Sequence, residues 1–88
     1  MPHRWHAPKA WLVEAACIRS HEGAWTSNTG NGYFGAYQFL LSTWRSVGGL
    51  GYPHQASQRE QTYRAWLLWL RSGRSWSQWG TAGACHLR

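Results

Sequence analysis

The stretch from His21 to Phe39, HEGAWTSNTGNGYFGAYQF, limits the fold more than any other part of the chain. Four glycines and two asparagines within it exclude a helix running through, since both residue types favour turns, so any helices must stop before it and restart after it. Asn31-Gly32 is a strong tight-turn pair, and the spacing predicts a short hairpin or structured loop over Trp25–Gly35. The same stretch carries five aromatic rings, several short amides and hydroxyls, and one acid, Glu22. Sugars present alternating hydroxyls and C–H faces, which call for flat rings beside Asn, Ser, Thr or Gln, so this mixture points to a polyhydroxylated ligand. The competing reading is a glycine-rich surface loop whose aromatics cover a small core.

On either side of this stretch the pattern is helical. Trp11, Ala15, Ile18 and Glu22 fall at spacings of four, three and four, which places them on one face of a first helix starting near Pro8 and running to about His21. Glu22 thus continues an apolar stripe at a helix C-terminus, where the macrodipole disfavours negative charge, and Gly23 is a natural stop. Phe39, Leu40, Trp44 and Val47 predict a second helix over about Ala36–Val47, ended by Gly48-Gly49. Ser57 with Glu60 has the capping-box spacing and opens a third helix whose Tyr63, Trp66, Leu67 and Leu70 share a face up to Gly73. A short segment, Ser75–Gly80, carries Trp76 and Trp79. Residues 1–7 read as a flexible lead-in, and residues 8–88 as one mostly helical α+β domain of three or four helices with a short hairpin or structured loop.

Eighty-eight residues bury only roughly 60 to 65 % of their unfolded surface, so a covalent staple is valuable. Cys17 and Cys85 could supply it by tying the first helix to the C-terminal tail, which implies an oxidising compartment; two buried free thiols are the other possibility. No metal site is expected, because the five His and two Cys offer only the weak pairs Cys85-His86 and His3-x-x-His6. No phosphate-binding loop or serine-nucleophile elbow is present, and no cofactor is expected. The net charge of +6 favours polyanionic partners, yet the basic residues are scattered singly, which argues against nucleic acid. No stretch reaches the length of a membrane span, and the N-terminus lacks a signal peptide's apolar core because Glu14 interrupts the one apolar run. Eight tryptophans exceed what so small a core needs, so some are expected to line a concave surface.

The acids give the sharpest constraint. There are three Glu and no Asp, and Glu14 precedes Glu22 by eight residues, about 12 Å along a helix, beyond the reach of a paired-carboxylate glycosidase. Glu60 is accounted for as a cap. A glycosidase of this composition would work with a single carboxyl, the substrate's acetamido group supplying the second function. The alternative class is a non-catalytic module that binds cell-wall glycan.

The ordered series Asn28-Thr29-Gly30-Asn31-Gly32-Tyr33-Phe34-Gly35, Gln38-Phe39, Thr43-Trp44, Gly48-Gly49 and Tyr52-Pro53-His54-Gln55-Ala56-Ser57 with Glu60-Gln61 resembles the catalytic domain of the resuscitation-promoting factors, over about residues 11–85. The resemblance implies a small lysozyme-like fold and a peptidoglycan-cleaving lytic transglycosylase or muramidase. Such an enzyme acts on the β-1,4 bond between N-acetylmuramic acid and N-acetylglucosamine. It implies Glu22 as general acid and base, Asn28, Tyr33, Gln38 and Thr43 as glycan contacts, and a disulfide between Cys17 and Cys85. A secreted or cell-wall location with peptidoglycan strands as partner is expected, together with a monomer that has no membrane or nucleic-acid partner. In the commonest family form the acid directly follows the Cys; here it comes later, in His21-Glu22-Gly23-Ala24-Trp25, and the loop after it is about two residues shorter.

Overall fold

The computed structural model describes Pro2 and residues 4–88. Helix α1 spans Lys9–Glu22, with Pro8 at its N-cap and the Gly23 amide closing the last turn on the Arg19 carbonyl. Trp11, Ala15 and Ile18 are buried, so the stripe that leads to Glu22 does face the core. Strands β1 (Tyr33–Phe34) and β2 (Phe39–Leu40) pair antiparallel, Tyr33 opposite Leu40 and Phe34 opposite Phe39, and Asn28 bridges to Phe34 on the other side. Helix α2 (Leu41–Ser46), a 3-10 turn at Pro53–Gln55, helix α3 (Gln58–Arg71) and a second 3-10 turn at Ala82–Cys85 complete a lysozyme-like α+β domain. No described helix is long and apolar enough to cross a membrane.

Two elements differ from the sequence pattern. The second helix starts at Leu41 rather than near Ala36, because Gly35–Gln38 form the hairpin turn and Phe39-Leu40 the returning strand. The cause is tertiary: Gln61 of α3 is fully buried and its Oε1 accepts the Ala36 amide at 3.0 Å, which holds the turn open against helix formation. Gly35 is needed here, with φ of 77° and no room for a Cβ beside Gln61 Oε1.

The buried face of α3 is also shifted. Gln61, Thr62, Ala65 and Leu68 are buried, whereas Tyr63, Trp66, Leu67 and Leu70 are only half-buried. Apolar spacing misplaces this face because two of its innermost residues are polar and bonded. Gln61 Nε2 also donates to the Trp25 and Ala56 carbonyls, and Thr62 Oγ1 bonds the Tyr37 hydroxyl at 3.1 Å. At the start of α3, Ser57 Oγ accepts the Glu60 amide at 3.0 Å, the serine half of the expected capping box, while the Glu60 carboxylate pairs with Arg64 rather than with the Ser57 amide.

Tryptophan builds the core. Trp11 stacks on Trp76 at 5.1 Å and meets Trp66 edge-on at 5.3 Å, and Trp76 continues to Trp79 at 5.0 Å. Trp11, Trp44, Trp76 and Trp79 are buried and the other four half-buried, so most of the tryptophan surplus is spent on packing. Gly49 sits against the Trp44 ring with no space for a side chain. The expected lead-in over residues 1–7 includes Met1 and His3, which lie outside the described residues, as does the His3 half of the His3/His6 pair. Trp5 packs on Tyr63 at 4.9 Å, Arg59 donates to its carbonyl, and Ala7 is buried. Cys17 and Cys85 form a disulfide, with Cα atoms 6.0 Å apart, that joins α1 to the C-terminal turn.

Candidate functional site

A groove of about 340 Å³ opens where α1 ends. Glu22 stands at the helix terminus, and the hairpin supplies one wall through Tyr33, Tyr37, Gln38, Phe39 and Leu40. Thr43 of α2 and Leu68 of α3 also line it, and Gln78, Trp79, Gly80 and Thr81 form a second, C-terminal wall. Tyr33 and Leu40, paired across the hairpin, are 43 % and 42 % exposed, so the rim carries apolar surface beside polar groups. That mixture suits a sugar's two kinds of surface.

Each acid has a distinct environment. Glu14 Oε1 accepts the Trp76 indole N–H at 2.7 Å, and Glu60 Oε1 pairs with Arg64 at 2.9 Å, so both serve packing. Glu22 is half-buried and, among the described residues, is the one carboxylate that lines the groove. Its Oε2 accepts a hydrogen bond from Thr81 Oγ1 at 2.6 Å. A carboxylic acid in such a place can exchange a proton with a bound ligand while its other oxygen is held.

The floor is rigid. The Tyr37 ring is fully buried; its hydroxyl bonds Arg19 Nη1 at 2.8 Å as well as Thr62, and its carbonyl accepts the Trp79 indole N–H at 3.0 Å. Arg19 in turn lies over the Trp25 ring at 4.9 Å. Gln38 adopts a left-handed backbone (φ 49°), and its Nε2 donates to the Gly35 carbonyl at 2.8 Å and to Ser27 Oγ at 3.2 Å. The same amide rests against Gly23, where a Cβ would approach it to 2.9 Å, so Gln38 ties the hairpin turn to the chain just past Glu22.

Of the residues singled out from sequence, Glu22, Tyr33, Gln38 and Thr43 meet in the groove. Asn28 does not line it; this residue is exposed, on the outer side of the hairpin opposite Phe34. Nothing in local spacing ties Gln78, Trp79, Gly80 and Thr81 to Glu22, which they follow by more than fifty residues, although Trp79 is one of the tryptophans that line a concave surface. The cysteine pairing was the available signal: Thr81 lies four residues before Cys85, and Glu22 five after Cys17. Cys17, His21 and Cys85 cluster within 4.8 Å, but the two sulfurs are bonded to each other and offer no thiolate to a metal.

Fold and groove together define a small lysozyme-like domain with one disulfide and a single acid in its cleft. A family profile described as "Transglycosylase-like domain" matches residues 7–82. The chain is 54 % identical over 69 residues to the resuscitation-promoting factor Rpf of Micrococcus luteus, covering 78 % of this chain and 29 % of that protein. Over 79 residues it is 42 % identical to resuscitation-promoting factor RpfE of Mycobacterium tuberculosis, covering 86 % of this chain and 46 % of that one. RpfC of the same species is 38 % identical over 74 residues, covering 84 % and 50 %. The chain belongs to the transglycosylase-like family, as a resuscitation-promoting factor catalytic domain. It spans half or less of the length of these relatives.

Proposed function

We propose that this domain cleaves peptidoglycan at the β-1,4 bond between N-acetylmuramic acid and N-acetylglucosamine, with Glu22 as the sole general acid and base. The observation that carries the reading is the distribution of acids: of three carboxylates, Glu14 and Glu60 are bonded to Trp76 and Arg64, and Glu22 alone faces the groove. A retaining hydrolase normally needs a second carboxylate as nucleophile, and the groove lining contains none. The muramic acetamido group can stabilise the oxocarbenium-like centre instead.

In this mechanism Glu22 protonates the glycosidic oxygen, the bond to the anomeric carbon breaks, and the N-acetylglucosamine side departs with its hydroxyl restored. The Glu22 carboxylate then takes the proton of the muramic 6-hydroxyl, whose oxygen bonds the anomeric carbon of the same ring. An intramolecular nucleophile of this kind gains an effective molarity of about 10⁵ to 10⁸ M when well oriented, enough to outcompete water in an open groove. Tyr33, Gln38 and Thr43 are the proposed glycan contacts in the groove, with Asn28 contacting a strand that runs on past the hairpin. The disulfide fits an oxidising compartment, and the domain is proposed to act as a monomer at the cell wall, without cofactor or metal.

The test is digestion of purified peptidoglycan followed by mass spectrometry of the released muropeptides. The native chain is expected to release 1,6-anhydromuramic ends, lighter by one water than hydrolysed ends. Glu22→Gln keeps the side-chain shape but cannot deliver a proton, and should slow release by about 100- to 10,000-fold. Reducing ends that carry oxygen from labelled water would make the enzyme a hydrolase, and undiminished release by Glu22→Gln would remove the acid assignment. Retained glycan binding with no release by the native chain would make it a non-catalytic wall-binding module.

A further inference from the structure

Resting on the reading of Glu22 as acid and base, we infer that Thr81 is the positioning residue that selects which oxygen of the Glu22 carboxyl handles the proton. A Glu at the last residue of a helix sits where the backbone frays and its own side chain has three torsions to fix. Thr81 Oγ1 donates to Oε2 at 2.6 Å, and no other hydrogen-bond partner of the Glu22 carboxyl occurs among the described residues. With Oε2 accepting, the acid proton of the neutral carboxyl resides on Oε1. That proton passes from Oε1 to the glycosidic oxygen and the 6-hydroxyl returns one to it, while the Thr81 proton stays on Thr81 throughout.

Thr81 itself is firmly held, although it lies in no regular helix or strand. Trp79, two residues earlier, is buried and bonded to the Tyr37 carbonyl, and the following Ala82 is buried with its amide on the Trp79 carbonyl at 3.1 Å. The Thr81 carbonyl accepts the Ala84 amide at 3.0 Å, and Cys85 is bonded to Cys17. Because Cys17 and Glu22 belong to the same helix, the disulfide links the segment bearing the donor to the element bearing the acceptor. A hydroxyl carried this way can hold a carboxyl in one rotamer.

The experiment compares Thr81→Val, which keeps the shape and removes the hydroxyl, with Thr81→Ser, which keeps the hydroxyl, on soluble glycan strands prepared from peptidoglycan. Thr81→Val should lower kcat by about ten- to a hundredfold, the cost of a misplaced catalytic group, and leave KM within about twofold. Thr81→Ser should recover kcat to within about threefold of the native chain. A second readout needs no turnover: with only three carboxylate side chains, carbon-13-labelled Glu gives three carboxyl resonances, and Glu22→Gln assigns one of them. Thr81→Val should move that resonance and leave those of Glu14 and Glu60 in place. The inference is overturned if Thr81→Val has native kcat, if it raises KM alone, if Thr81→Ser is as slow as Thr81→Val, or if the Glu22 resonance does not move. Full activity in Glu22→Gln would overturn the acid assignment and this inference together, whereas an inactive Glu22→Gln beside a fully active Thr81→Val would overturn this one alone.

Discussion

The hairpin wall of the groove is held to α3 by hydrogen bonds, whereas the C-terminal wall is held between buried tryptophans and a covalent bond. Gln61 and Thr62 fasten the hairpin turn through the Ala36 amide and the Tyr37 hydroxyl, both bonds buried, and Gln61 also reaches the half-buried Trp25 and Ala56 carbonyls. Gln78–Thr81 lies in no regular helix or strand; local turn bonds, the buried Trp76 and Trp79, and the Cys17–Cys85 bond keep it in place. Polar pins specify one register for a turn that could otherwise extend α2, and they are costly to leave unmade. A disulfide acts chiefly on the unfolded chain, so it can retain an irregular segment without shaping it.

Three changes break this contrast, in decreasing order of effect. Reducing the disulfide, whose cysteines are 68 residues apart, should cost about 4 kcal/mol. A domain of this size should then melt about 15 to 30 °C lower, which calorimetry in reductant can check once mass spectrometry has established reduction. A fall of less than about 5 °C would show that the tryptophans hold this wall without help. Next, Gln61→Leu removes three hydrogen bonds and leaves the Ala36 amide buried without a partner. It should destabilise by about 3 kcal/mol in urea unfolding. A change below about 1 kcal/mol would mean the turn is set by its own residues rather than by α3. The smallest effect belongs to Trp79→Phe, which deletes the one indole bond that joins the walls, Trp79 Nε1 to the Tyr37 carbonyl. Its expected cost is about 1 kcal/mol, measured the same way, and a much larger loss would show that ring volume dominates the bond.

Glu22 illustrates how far local rules carry. Its place follows from the Trp11–Ala15–Ile18 period and a glycine stop, which depend on neighbours three or four residues away, and α1 has that face and that end. The cap at Ser57 is legible for the same reason, and two cysteines admit a single pairing within the chain. The turn at Gly35–Gln38 is not legible, because Phe39, Leu40 and Trp44 keep helical spacing whether or not Gln61 is present to claim the Ala36 amide. Nor does apolar spacing reveal that Gln61 and Thr62 are the inner face of α3, since a buried polar side chain is stable only with partners, and Ala36 and Tyr37 lie 25 residues away in sequence.

Composition and short-range spacing together point to a small aromatic-rich domain, turns around Asn31-Gly32, and an acid at the end of a helix. Which tryptophans fill the core, which acids are spent on packing, and which segment closes the groove over Glu22 were decided by tertiary contacts. Trp76 reaches Glu14 across 62 positions and Thr81 reaches Glu22 across 59, and no periodicity spans such distances. The partner of a side chain so far along the chain is set by how the helices and hairpin pack, not by the residues on either side of it.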